Sequence, residues 1–338
     1  MKVGVLMGGV SDERAVSLAS GSQVARALRE AGHQVVAVDT VRGVLSGEQE
    51  LALLEGGVGA NPPSAAELRA LDPGTAVTLT RTPELGDVEV FFVALHGGSG
   101  EDGTIQGLLD AAGVPYTGSD RLGCSLAMDK EVSKRLFRDA GIPTPDWLKG
   151  PASADQVVAA LGLPVIVKAA SGGSSLRLVL AHDREELEQA IAESREWDDV
   201  VLFERYVPGR ELTVAVVGGT ALPVGEIIPA NEIFDYECKY QPGMAEEVFP
   251  ADIPAELAER LQRLAVRAHE ALRLRDYSRI DFIVDEGGAP WCLEANAAPG
   301  MTASSLLPKA GRAAGISFPE LCDRVVGLAQ TRRRGHST

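Results

Sequence analysis

Two short, uncharged apolar runs near the N-terminus, Val3 to Met7 and Val35 to Val38, constrain this chain most. Continuous apolar stretches of this length suit strands buried on both faces, as in a parallel sheet. Parallel neighbours need a long crossover, and the segment between them supplies one. Gly8-Gly9 turns the chain, Ser11 can cap a helix, and Val16, Leu18, Val24, Ala27 and Leu28 give that helix an apolar stripe ending at Gly32. The product is a βαβ unit of about 40 residues. A dinucleotide fold marks its first turn with G-x-G-x-x-G, whereas this turn reads Gly8-Gly9-Val10-Ser11-Asp12-Glu13. Two acids where a pyrophosphate would lie disfavour a dinucleotide, and with it an NAD-dependent enzyme.

The alternation of strand and helix continues along the chain. Val88 to Leu95 is another buried strand, ending at His96-Gly97-Gly98, and loops beyond the carboxyl ends of such strands are where ligands bind. Residues 43–87, rich in Gly, Pro and Ala, are poorly patterned and read as surface connections and short strands. A helix is expected over about 104–112, and Gly118 closes the first unit. A second segment carries a helix at 130–139, a strand at 165–168, a Gly/Ser loop, a helix at 184–194 and a strand at 200–205. A third has strands near 211–217 and 222–228, a long polar loop at 229–252 and a helix at 256–272. Strands at 278–284 and 291–296 and a last helical region follow. The expectation is an α/β protein of three domains, 1–118, 119–206 and 207–331, around a central cleft; 338 residues suffice for two or three such units.

Composition excludes several partners. A net charge of −16 argues against nucleic acid and anionic membrane, so any site for a polyanion must gather its cations locally. Cys124, Cys238, Cys292 and Cys322 are far apart with no CxxC spacing, as expected of reduced thiols in the cytoplasm. The apolar N-terminal run is too short for a signal peptide, and no stretch approaches the roughly 18 apolar residues of a membrane span. Arg332-Arg333-Arg334-Gly335-His336 reads as a disordered, solvated tail.

Four constellations carry chemistry. In Arg279-Ile280-Asp281-Phe282 and Glu294-Ala295-Asn296, residues two apart share a strand face. If the two strands are adjacent, three oxygen ligands and one guanidinium converge, a set suited to Mg²⁺, although a solvated sheet face with one salt bridge fits the spacing equally. Lys168 ends an apolar strand and precedes Ser171-Gly172-Gly173-Ser174-Ser175, a phosphate cradle or a small surface loop but not a Walker A motif. Val200 to Val207, with Glu204 and nearby Glu211, can offer backbone to a purine and an acid to its ribose, or be a plain buried strand. Glu13 and His96 lie at the same edge of one sheet, where a carboxylate can hold an ammonium and an imidazole can orient it or exchange a proton. Glu101-Asp102-Gly103 fits a helix start equally well.

Taken in order, these segments resemble the D-alanine–D-alanine ligases of the ATP-grasp superfamily, from about Lys2 to Ala329. The matching runs begin with Gly8-Gly9-x-Ser11-x-Glu13-Arg14-x-Val16-Ser17-Leu18 and His96-Gly97-x-x-Gly100-Glu101-Asp102-Gly103 with Gln106-Gly107. Ala127-Met128-Asp129-Lys130 and Phe234-Asp235-Tyr236-Glu237-x-Lys239-Tyr240 follow. Leu293-Glu294-x-Asn296-x-x-Pro299-Gly300-Met301-Thr302-x-x-Ser305-Leu306 ends the series.

The resemblance implies an ATP-grasp fold with a Rossmann-like N-terminal domain, and joining of two D-alanines through an acyl phosphate for peptidoglycan precursors. It implies ATP and two Mg²⁺ ions, with Mn²⁺ able to substitute, and a homodimer. By the same resemblance Lys130, Lys168, Ser174, Ser175 and Lys239 contact phosphate, while Glu204, Arg205, Val207 and Glu211 hold adenine and ribose. Asp281, Glu294 and Asn296 hold the metals. Glu13 takes the first substrate's ammonium with His96 near it, and Ser174 and Tyr240 join Glu13 in a network that closes a loop over the site. Arg279 and the Gly300 N–H stabilise the oxyanion, and Ser305 with Leu306 binds the second substrate.

The phosphate-covering loop departs from the family pattern at Ala169, Gly172 and Arg177, the last in place of a glycine. Ala297-Ala298 replaces the commoner Thr-containing pair, and Ala15 replaces a frequent acid. A ligase that takes D-serine or D-lactate as its second substrate is an alternative, Tyr240 speaking against lactate. A non-catalytic nucleotide-binding homologue is another.

Overall fold

A computed structural model describes residues 1–55, 63–71, 82–173, 177–197, 200–234, 238, 241 and 243–335. Its framework is three sheets. The first has the order β3-β2-β1-β4, with β1 (Lys2–Met7) parallel to both β2 (Gln34–Asp39) and β4 (Val90–Val93), and β3 (Gly43–Val44) on the edge. Helix α1 (Arg14–Glu30) makes the expected crossover. Two more helices, α2 (Gly47–Glu55) and α3 (Ala65–Arg69), stand where the sequence is poorly patterned.

Ser11 does not cap α1. Glu13 occupies the N-cap position without a side-chain cap, and the Ser11 hydroxyl donates to the His96 carbonyl (2.7 Å). The hydroxyl is spent tying the first turn to the loop after β4. Ser17 strengthens that tie by accepting from the Gly8 N–H and donating to the Ala94 carbonyl, both at 2.8 Å. Arg14 forks onto the buried Asp39 at 3.0 and 2.5 Å and also donates to the Gly9 carbonyl. The turn carrying Glu13 is therefore fixed on three sides.

Helix α4 (Thr104–Ala111) is followed by α5 (Arg121–Met128) and α6 (Lys130–Asp139). The second sheet, order β5-β8-β6-β7, is antiparallel and joins β5 (Trp147–Lys149), β6 (Val165–Ala169), β7 (Leu178–Ala181) and β8 (Val201–Arg205). With α7 (Ala154–Leu161) and α8 (Arg184–Glu193) it encloses a core of its own around Val157, Val165, Leu187 and Phe203. Residues 121–139, grouped by sequence with this segment, pack elsewhere. Cys124, Ala127 and Phe137 share a core with Leu212, Ile280 and Phe282 of the third sheet.

That third sheet runs β12-β11-β9-β13-β14, with β10 paired to β9. It is built from β9 (Gly209–Val217), β10 (Thr220–Ala221), β11 (Gly225–Pro229), β12 (Ala245–Val248), β13 (Tyr277–Asp285) and β14 (Pro290–Asn296), and α9 (Ala255–Ala271) covers one face. Strand β12 lies inside the segment expected to be a loop over 229–252. Alternation there is masked by its charges, because Glu246 and Glu247 sit on an edge strand.

Helices α10 (Leu306–Ala313) and α11 (Phe318–Gly335) end the described chain. The backbone of the expected disordered tail is helical through Gly335, as the end of α11, and His336 lies outside the described residues. Arg332 pairs with Asp276 and donates to the Tyr116 carbonyl (2.8 Å), so its charge is satisfied within the fold. Leu321, Val325 and Val326 of α11 pack with Val3, Val5, Val24 and Phe92, so the C-terminal helix completes the core of the first sheet. All four cysteines are buried, and burial pushes the thiols of Cys124, Cys292 and Cys322 above their usual range. Among the described residues no helix is long and apolar enough to cross a membrane.

Leu321 is fully buried in this shared core. Leu321→Ala is expected to cost about 2–5 kcal/mol in urea denaturation. A cost near zero would show that α11 is not part of that core.

Candidate active site

The strongest sequence pair is brought together as the strand pattern requires. In the antiparallel β13–β14 ladder Arg279 lies opposite Asn296 and Asp281 opposite Glu294. Arg279 donates to Asp281 through Nε (2.9 Å) and Nη2 (2.8 Å), and Asn296 Nδ2 donates to Asp281 Oδ2 (2.9 Å). Thr213, opposite Asp281 on β9, donates its hydroxyl to Oδ1 at 2.7 Å. Sequence reasoning missed Thr213, since only the ladder reveals it as a neighbour. Asp281 is buried while Arg279, Glu294 and Asn296 are half-buried, and the Arg279–Asp281 ion pair is the salt bridge that the alternative reading expects.

Among the described residues no three histidine, cysteine or acidic side chains form a ready-made metal cage. Asp281, Glu294 and Asn296 supply two carboxylates and an amide oxygen. That is the provision expected for Mg²⁺, which takes few protein ligands and borrows phosphate oxygens. The residues present fit the ion.

Two cavities meet at this wall. One, of about 310 Å³, lies between the second and third sheets and is lined by Lys130, Lys168, Glu204, Val207, Glu211 and Asp281 among others. The other, of about 340 Å³, is lined by Glu13, His96, Arg279, Asn296, Gly300 and Ser305 among others. Gly173 and Phe234 line both. Arg205 and Glu294 also line the first cavity, and Leu306 lines the second. Ser174, Ser175, Lys239 and Tyr240 lie outside the described residues.

In the first cavity Lys168 donates to Glu204 Oε1 at 2.8 Å. Lys134, reaching up from α6, has its ammonium 2.5 Å from Glu204 Oε2. Burial alone would raise the Glu204 carboxyl, but the two ammonium groups outweigh it and hold it below its usual range. Lys134 was absent from the sequence reading. Its signal was present, because it lies three residues from Phe137 on the buried face of α6. Lys130 donates to the Gly172 carbonyl (2.8 Å) and lies 3.4 Å from Glu294, so one lysine joins the Gly/Ser loop to the carboxylate wall.

In the second cavity the Glu13 carboxylate is wedged between two glycines. A Cβ on Gly97 would come within 2.7 Å of Glu13 Oε2, and one on Gly173 within 2.9 Å. Gly97 also adopts the left-handed backbone that favours glycine, and the missing side chains let both loops approach the carboxylate closely. The His96 ring is engaged at both nitrogens: Nδ1 is 3.0 Å from the Ala298 carbonyl, and Nε2 is 3.0 Å from Ser20 Oγ. Burial would lower the imidazole pKa, but Glu101 beside Nδ1 and the charge of Glu13 hold it above its usual range. Glu101 therefore belongs to this cluster. The nearby helix start is formed by Gly103, while Asp102 accepts from the Thr104 N–H. Ser305 is the N-cap of α10, and its hydroxyl is 2.7 Å from that of Thr302 beside Gly300.

A family model described as D-ala D-ala ligase N-terminus matches residues 2–119, and one described as D-ala D-ala ligase C-terminus matches residues 136–327. The chain belongs to the D-alanine–D-alanine ligase family. A D-alanine–D-alanine ligase of Desulforudis audaxviator is 41% identical over 98% of this chain and 99% of its own length. The crystal structure of the Bacillus anthracis ligase complexed with ATP aligns with a TM-score of 0.77 and 33% identity, covering 99% of each chain. The VanG D-Ala:D-Ser ligase of Enterococcus faecalis aligns with a TM-score of 0.80 and 29% identity, covering 97% of this chain and 99% of its own. The architecture is thus the ATP-grasp fold. Against the ligase pattern, Arg177 stands where a glycine is usual, and its φ of +57° shows that the position does use left-handed backbone.

The depressed Glu204 carboxyl has a pH consequence. A group whose folded pKa lies below its unfolded value contributes stability above the unfolded value and loses it as pH falls through the folded one. Glu204→Gln leaves Lys134 and Lys168 facing a neutral amide, a loss of about 3–5 kcal/mol at pH 7. In urea melts the gap to the parent protein is expected to shrink as the pH is lowered beneath the ordinary carboxylate range of about 4. A gap independent of pH would refute the charge assignment.

Proposed function

We propose that this chain joins two D-alanines into D-alanyl-D-alanine at the expense of ATP, through an acyl phosphate, for peptidoglycan precursor synthesis. The observation that carries the reading is the junction of two cavities at one wall. A lysine-bearing cavity meets a second one lined by Glu13 and by Ser305 at the start of α10, and Arg279, Asp281, Glu294 and Asn296 stand between them.

In this reading the first cavity takes ATP. Lys130 and Lys168, with Ser174, Ser175 and Lys239, face its phosphates, and Glu204, Arg205, Val207 and Glu211 face adenine and ribose. Mg²⁺ held by Asp281, Glu294 and Asn296 would offset phosphate charge; two ions are the number implied, with Mn²⁺ able to replace them. Glu13 holds the ammonium of the first D-alanine beside His96, and Ser174 and Tyr240 complete the closing network. A carboxylate oxygen of that substrate attacks the γ-phosphorus, ADP leaves, and an acyl phosphate remains. The amine of the second D-alanine, placed by Ser305 and Leu306, then attacks the carbonyl carbon. Arg279 and the Gly300 N–H face the resulting oxyanion, and phosphate departs as the C–O bond breaks. Exclusion of water protects the acyl phosphate, and the Gly173 loop closed on Glu13 is suited to that task. A homodimer in the cytoplasm is the setting that the family and the buried cysteines favour.

The similarity to a D-Ala:D-Ser ligase keeps the second substrate a question for experiment. ADP release is expected with Mg²⁺, ATP and D-alanine, with weaker turnover when D-serine, D-lactate or L-alanine is offered. Silence with every amino acid would sink the ligase reading. Arg279→Ala is expected to lower kcat by about 10²–10³-fold, the usual loss of one oxyanion donor, with nucleotide affinity changed only a few-fold. Unaltered turnover would remove Arg279 from the oxyanion site.

A further inference from the structure

Lys134 is fully buried, and no assigned role uses it. It lies on α6, whose Phe137 is built into the core of the third sheet, while its partner Glu204 lies on β8 of the second sheet. The ammonium also donates to Thr144 Oγ1 (2.6 Å) and sits 5.2 Å from the Trp147 ring centroid. Lys134 thus crosses between the second and third sheets that wall the first cavity, yet it does not line that cavity as Lys168 and Glu204 do.

Two features argue against a purely structural role. Two ammonium groups share one carboxylate, so the cluster buries one positive charge more than neutrality needs, and such charge is expensive. In addition, each Glu204 oxygen has its own ammonium, Oε1 that of Lys168 and Oε2 that of Lys134, so the loss of one leaves the other in place.

We propose that Lys134 is a positioning residue for the nucleotide: it anchors Glu204 across the two sheets, so that Lys168 can leave that carboxylate for phosphate. Without Lys134, Lys168 is the sole counter-charge to a buried acid, and phosphate must compete with Glu204 for it. With Lys134 in place, Glu204 keeps a partner when Lys168 turns away. The inference rests on the reading of this cavity as the ATP site.

Lys134→Met and Lys134→Gln test it, because each leaves a neutral Glu204–Lys168 pair. Wild-type ADP release is measured first; its absence is a failure of the ligase reading itself. In an active wild-type background, both variants should keep a thermal midpoint close to the parent's. The ATP KM should rise at least about tenfold, the scale of one charge-assisted contact, while the D-alanine KM stays within about twofold. An ATP KM within about twofold of wild type in folded variants would overturn the proposal. So would a parallel rise in both KM values, which marks general damage, or loss of the folded transition in both variants, which marks a structural lysine.

Discussion

The site depends on one backbone ladder, the antiparallel pairing of β13 with β9 on one side and β14 on the other. Its register sets Arg279 against Asn296 and Asp281 between Thr213 and Glu294, so residues from three distant stretches meet on one face. Side chains alternate along a strand, and a slip of one residue would turn every one of these groups into the opposite core. The apolar partners of that alternation, Ile280 and Phe282, are fully buried against α5, α6 and α9. Packing on the far face therefore fixes the chemistry on the near face. Both cavities, and the glycine contacts on Glu13, are arranged about this wall.

Around it the molecule accepts buried charge where apolar residues would pack at lower cost. Arg14 with Asp39, and Lys134 and Lys168 with Glu204, are nearly or wholly withdrawn from water. Exposed pairs such as Arg26 with Glu30 contribute little, being solvated and mobile. The buried ones lie either behind the turn that presents Glu13 or beside the cavity between the second and third sheets. Their placement follows the site, while four apolar cores fill the rest of the interior.

Much of this was legible in the sequence because the periodicities are clean. Val3 to Met7, Val165 to Lys168 and the alternation through Ile280 and Phe282 announce strands whose burial leaves little choice. The carboxylate wall followed from spacing once the two strands were assumed adjacent. What escaped has definite causes. Thr213 acts through a contact across the ladder that no local pattern encodes, whereas the place of Lys134 on the buried helix face was legible but its partner Glu204 was not. The hydroxyl of Ser11 looked like a helix cap but found a stronger use at the His96 carbonyl. The tail of arginines looked solvated because its partner, Asp276, lies 56 residues away. Helices α5 and α6 were grouped with the strands that follow them, whereas their apolar faces match the third sheet.

The return of α11 to the first sheet alters how the chain can move. Its two extremities are stitched into one body, since α11 shares a core with β1 and α1 while Arg332 binds both Asp276 and the Tyr116 carbonyl. The second sheet keeps its own small core and is joined to the rest through polar contacts across the cleft. Mechanically the protein is a two-piece clamp: a frame made of both ends of the sequence and a single jaw made of its middle. Any opening of the cleft would be a movement of the jaw against a frame that carries Glu13, His96, Arg279, Gly300 and Ser305 together.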